Sequence, residues 1–174
     1  MPRTISRLFC QASLLWVALA FISAQLCRAQ TLPSTAGETL SGNRIVLADA
    51  VRGHAAVLVA GFSREGGNGV GAWAKALRAD PSLAQVTVYP VAELAGAPGF
   101  IRGMIRNGMK KGLSLSEQDR FVVLTSDEPA WRRFFVVDTD KDPYVALIDA
   151  QGKVLWHGHG AAASLEPQLR AALR

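Results

Sequence analysis

Ala55 to Leu77, AAVLVAGFSREGGNGVGAWAKAL, restricts the possible folds more than any other stretch of this chain. Val57, Leu58, Val59 and Phe62 form a short apolar run of the kind that a strand buried on both faces requires. Ser63 to Gly71 interrupts it with the charged pair Arg64 and Glu65 and four glycines, a composition that reads as a turn or loop. Val70, Trp73, Ala74 and Leu77 then recur at helical spacing, so a helix leaves the loop with its apolar side inward. Strand, loop and helix make half of a βαβ unit, and in open α/β sheets ligands bind at the carboxyl ends of strands. The loop is therefore the first candidate site, with Ser63, Arg64, Glu65 and Asn68 as its polar residues. The competing reading is that these side chains do no more than solvate a turn.

The amino terminus is a different kind of sequence. Arg3 and Arg7 precede an almost wholly apolar run, Leu8 to Ala24, and Cys-Arg-Ala at 27–29 is followed by Gln30. A charged region, an apolar region and small residues make a secretory signal, so residues 1–29 are read as removed on export to a periplasmic or secreted location. The alternative is an uncleaved membrane anchor. Lipidation at Cys27 is disfavoured because Gln25-Leu26 lacks a small residue just before the cysteine. Residues 30–37 read as a polar linker and 38–174 as one domain with room for a core.

Export changes two inferences. Setting aside Arg3, Arg7 and Arg28 leaves 16 Lys and Arg against 14 Asp and Glu, a formal charge of +2 instead of +5. That balance gives no reason to expect nucleic acid as a partner. Both cysteines, Cys10 and Cys27, fall in the removed segment, so the mature protein is cysteine-free and has neither a disulfide nor a thiol of its own.

Along the rest of the chain the elements alternate. A strand is expected over Arg44 to Leu47, the core strand ends at Phe62, and the first helix stops near Asp80-Pro81, where proline disfavours helix in the preceding residue. Gln85 to Val91 is a second core strand. Ala97 to Gly112 is a helix with Ile101, Met104, Ile105 and Met109 on its apolar face and Arg102, Arg106 and Lys110 as a cationic stripe. Such a stripe is either a solvated face or a contact for an anionic partner or lipid headgroups. Phe121 to Leu124 is a strand, and a short helix capped by Ser126 or Asp127 runs through Trp131 and Phe135. Tyr144 to Ile148 and Lys153 to His157 form a hairpin, and Ser164 to Leu173 a closing helix. The order ββαβαβαββα predicts a three-layer α/β domain with a central mixed sheet flanked by helices. Trp73, Trp131 and Trp156 are expected in its core.

GNRIVLADAVRGHAAVLVAGFS resembles the opening of the thioredoxin-like redoxins, and DPYVALIDAQGKVLWHGHG resembles their closing hairpin. The resemblance covers about residues 38–173. In that family a Trp-Cys-x-x-Cys motif opens the helix, with its thiolate at the helix amino terminus. Here the equivalent span is SREGGN, residues 63–68, and it lacks cysteine, so no redox residue carries over. Pro143 matches the proline that the family holds in the cis form beside the active loop, and with Tyr144 it joins the candidate site. The basic helix within RGMIRNGMKKGLSLSEQDRF, the strand from Tyr144 and the following Trp strand are also similar to the ATP-synthase assembly factors that chaperone the membrane-embedded a-subunit. That similarity implies a protein partner, possible contact with the membrane surface, and work as an envelope chaperone or assembly factor without a cofactor.

Other chemistries were weighed against this reading. Gly67-x-Gly69-x-Gly71 with Glu93 further on lacks the spacing of a dinucleotide-binding loop. Asp138, Asp140, Asp142 and Asp149 match positions of a calcium loop, yet Pro143 replaces its obligatory glycine. His157 and His159 share one face of a strand and would need a third ligand, such as His54, to hold zinc. An enzyme remains the rival class. It would be a redoxin-type peroxidase or reductase using a partner's thiol, or a hydrolase in which Ser63 meets a histidine base.

Overall fold

The computed structural model describes residues 30–173, so the expected signal, 1–29, lies outside the described residues. The elements, in chain order, are β1 (Ala36–Thr39), β2 (Arg44–Val46), α1 (Leu47–Ala50), β3 (Ala56–Gly61), α2 (Arg64–Ala79), β4 (Thr87–Glu93), α3 (Gly99–Lys110), α4 (Leu115–Gln118), β5 (Val122–Leu124), α5 (Glu128–Phe135), β6 (Tyr144–Ile148), β7 (Val154–His159) and α6 (Ala162–Ala172). The seven strands form one mixed sheet in the order β2-β1-β5-β4-β3-β6-β7. β3 is parallel to β4, and β4 to β5, while the remaining pairs are antiparallel.

The alternation of side chains along each strand makes the three layers. In β3, Ala56, Leu58 and Ala60 face one cluster with Trp131, Phe134 and Phe135 of α5. Val57 and Val59 face a second cluster with Val70, Trp73 and Leu77 of α2 and Leu169 of α6. All six residues of β3 are buried, which explains its unbroken apolar run. Trp73 and Trp131 are fully buried, whereas Trp156 is half-buried against the second cluster. A third, smaller cluster of Leu40, Leu94 and Val123 lies beneath Ile105 and Met109 of α3.

Three segments differ from the expected elements. The polar linker is in part structural: Ala36–Thr39 pairs with both β2 and β5, and Leu32 is buried. Gly37 permits this polar strand, since a Cβ there would come within 2.8 Å of Val122. The strand expected to Leu47 ends at Val46, and Leu47 opens a single helical turn that buries its side chain. The glycine loop expected over 63–71 is the opening of α2. Pro90 causes no break in β4, because β5 pairs only with Val91 to Glu93 and leaves Thr87 to Pro90 with β3 alone as neighbour.

Candidate functional site

Ser63 decides why a glycine-rich segment is helical. It sits in extended conformation as the N-cap of α2, and its Oγ accepts a hydrogen bond from the Gly66 N–H at 3.1 Å. The same hydroxyl donates to the Asp140 carbonyl at 2.6 Å. The glycines serve close packing more than flexibility. A Cβ on Gly66 would stand 2.8 Å from the Asp142 carbonyl oxygen and 2.9 Å from that of Asp140, and one on Gly69 would stand 2.6 Å from the Pro143 ring. Helix and loop 138–143 can approach this closely only if the helix has no side chains there.

That loop is tied down from several directions. Tyr144, almost fully buried, accepts through its hydroxyl from the backbone N–H groups of Asp138 and Thr139 and donates to the Asp138 carboxylate at 2.6 Å. This hydrogen bond holds the Asp138 carboxyl below its usual range, while burial, followed by the neighbouring carboxylate, raises the Tyr144 phenol. Asp140 makes a two-pronged pair with Arg132, whose Nε also donates to Glu128 at 2.6 Å. The Arg132 hydrogen bond lowers the Asp140 carboxyl, and the two carboxylates hold Arg132 firmly charged. The Arg132 guanidinium lies 5.3 Å above the Phe62 ring. His159 contacts Asp142 through Nδ1 at 2.9 Å and stacks on Tyr144.

The structure therefore gathers Ser63, Arg64, Glu65, Asn68, Pro143 and Tyr144 at the carboxyl end of β3. Arg64, Glu65 and Asn68 are exposed on the first turns of α2, and Tyr144 lies beneath the surface. Pro143 departs from the resemblance, for no peptide bond among the described residues is cis. Trans is the intrinsic preference of an X–Pro bond, and in this form the ring lies directly under Gly69. Ser63 has no histidine within hydrogen-bond reach: its partners are Gly66 and Asp140, and His159 is engaged by Asp142. A Ser63 nucleophile thus lacks its base.

The calcium and zinc readings fail on convergence. Asp138, Asp140 and Asp142 turn to Tyr144, Arg132 and His159 respectively, and Asp149 caps the hairpin turn through the N–H groups of Gln151 and Lys153. Among the described residues no three His, Cys, Asp or Glu side chains cluster to hold a metal. Gly67, Gly69 and Gly71 lie within α2, not in a phosphate-cradling loop. Glu93 is buried at the end of β4, where it accepts from the Ala95 N–H at 2.7 Å and burial pushes its carboxyl up.

The cationic stripe lies elsewhere and is largely consumed by the chain itself. Arg102 donates to the carbonyls of Ala97 and Ala95, both at 2.8 Å. Arg106 grips Glu38 with two hydrogen bonds, at 2.8 and 2.6 Å, and reaches the Thr39 carbonyl. Of the three cations, Lys110 alone makes no direct hydrogen bond or ion pair among the described residues, although its charge lies near Glu38. Met104, expected on the inward face, points outward at 69% exposure beside Phe100 at 87%. The outer face was legible in principle, because Phe100, Met104 and Lys111 are spaced four and seven apart.

No protein-family model and no curated protein sequence matches this chain. Solved structures do. A thiol:disulfide interchange protein of the thioredoxin family from Chlorobium tepidum matches with a TM-score of 0.54 and 18% identity, over 85% of this chain and 99% of its own. The exposed lipoprotein thioredoxin Etrx1 of Streptococcus pneumoniae matches at 0.53 and 16%, over 80% of this chain and 99% of its own. BsSco, a member of the Sco family of cytochrome c oxidase assembly proteins, matches at 0.54 and 13%, over 83% and 94%. The fold is thioredoxin-like. The helix that opens at Ser63 begins with Ser-Arg-Glu-Gly-Gly-Asn and has no cysteine there.

Proposed function

We propose that this chain acts by binding another protein, without thiol chemistry of its own, as an exported chaperone or assembly factor. The observation that carries the reading is α3. None of the 12 residues of this helix is buried, and its largest apolar side chains, Phe100 and Met104, face solvent together. An exposed apolar pair on a helix that touches the core only in part is the signature of an unfilled contact. Residues 30–174 contain no cysteine, which removes the redox alternative unless a partner supplies the thiol. Export rests on the amino-terminal pattern of Arg3, Arg7 and the apolar run after them. Assembly work on this fold has a precedent in the Sco neighbour. Among the described residues no helix is long and apolar enough to cross a membrane.

The test is photo-crosslinking in the native envelope, with the probe at position 104 and, in parallel, at position 68. Capture of one discrete membrane subunit from position 104 supports the reading and identifies the partner. Capture only from position 68 moves the contact to the head of α2. Absence of any adduct from either position, with the protein folded and abundant, removes protein binding as the function.

A further inference from the structure

A groove of about 450 Å3 opens well away from the head of α2. Its floor is the stretch of β4 that β5 leaves unpaired, where Val88 is half-buried and Pro90 buried. α2 forms one wall and Phe121 lies on the other, and the apolar lining is interrupted by Arg78, Asp80, Ser116, Glu117 and Arg120. Gly71 of α2 lines the groove, and a Cβ there would meet nothing within 4 Å, so a larger side chain has room at this position.

Its rim is charged. Arg78 and Glu117, from opposite walls, form an ion pair at 2.9 Å. Asp80, the other lining carboxylate, is held by Arg170 at 2.6 Å. Arg120 is exposed and has no ion-pair partner among the described residues. An apolar trough with one uncommitted cation at its mouth suits a ligand with an apolar body and a single negative end. The Arg78–Glu117 pair spans the walls, so a continuous polypeptide would have to break it, whereas a compact ligand need not.

We propose that this groove binds a small amphipathic carboxylate, its alkyl chain along the half-buried Val86, Val88 and Phe121 and its carboxylate at Arg120. The site is independent of α3 and of the protein-binding reading. The probe is decanoate, below its micelle-forming concentration, titrated into the full chain by calorimetry, with decanol as the uncharged comparison. Saturable binding of decanoate, roughly fivefold tighter than decanol, is expected from one exposed charge-assisted contact. Arg120→Gln removes that difference and leaves decanol unchanged. Gly71→Leu, which fills the open space on α2, weakens decanoate at least tenfold while circular dichroism stays unchanged. Equal affinity for the two probes, no saturation, or full binding by folded Gly71→Leu each overturns the proposal. Arg120 is exposed, so its variant keeps the test decisive even if Gly71→Leu fails to fold.

Discussion

The head of α2 and the outer face of α3 use glycine and arginine in opposite ways. At α2, Gly66 and Gly69 let loop 138–143 lie against the helix, and Arg132 locks that loop through Asp140. At α3, a Cβ on Gly99, Gly103 or Gly108 would meet nothing within 4 Å, while Arg102 turns back to the loop carbonyls of Ala95 and Ala97 and Arg106 ties the helix to Glu38 of β1. In the first region Ser63, Arg132, Asp140 and Tyr144 are spent on structure, while Arg64, Glu65 and Asn68 stay exposed. The second anchors one side and leaves Phe100 and Met104 without a cover. In a thioredoxin-like fold the first would be the expected place of chemistry. Here the uncommitted apolar surface is the second.

The largest effects should separate the glycines. Gly66→Ala forces a Cβ against two backbone carbonyls and is expected to lose about 1–3 kcal/mol of stability, as overpacking does. Gly103→Ala should gain up to about 1 kcal/mol, because it adds only helix propensity in open space. Urea denaturation of both variants checks the sign, and a gain at Gly66 would mean that helix and loop are not in close contact.

Tyr144→Phe comes next. It leaves the N–H groups of Asp138 and Thr139 without their acceptor and frees the Asp138 carboxylate. A loss of about 1–3 kcal/mol is expected. The acid limb of the pH–stability curve should change as well. The Asp138 carboxyl is lowered in the fold, so its contribution is present above its unfolded pKa and lost as pH falls through the folded value. Without Tyr144 that part of the acid loss should shrink.

Much of this was legible in the chain and some was not, for definite reasons. The run from Val57 to Phe62 marked the buried strand β3, which covers Ala56–Gly61, and the sequence of the closing hairpin, with Asp149 and Gly152 at its turn, marked β6 and β7. The glycines of 63–71 misled because glycine signals both turns and close approach, and only the position of loop 138–143 tells which applies. β1 was hidden because AGET has no apolar period. It is a strand through its pairing with β2 and β5. The cationic stripe was seen, but Arg102 is taken up by carbonyls just before its helix, and Arg106 by Glu38, 68 residues away, to which no local pattern points.

Glu93 gives a smaller effect with a distinctive pH dependence. Its carboxyl is raised by burial, so its contribution is most favourable below the unfolded pKa and declines as pH rises through the folded value. Glu93→Gln keeps an acceptor for Ala95 without the buried charge. Its stability should match the parent in acid and exceed it at neutral pH, as thermal unfolding across pH would show. An equal gain at every pH would mean that packing, not ionisation, governs this position.

The smallest effect tests the contrast between the two regions most directly. Arg106→Gln breaks a pair whose Glu38 side is 48% exposed, so less than about 1 kcal/mol is expected, shrinking as salt is added. If Arg106 only holds α3 to β1, crosslinking from position 104 should survive in this variant with its yield unchanged, since Phe100 and Met104 are untouched. If capture falls while stability and helix content stay level, the arginine itself meets the partner. The inward-anchored and outward-open faces of α3 would then be one surface, and the cationic stripe would regain the role that its spacing suggested.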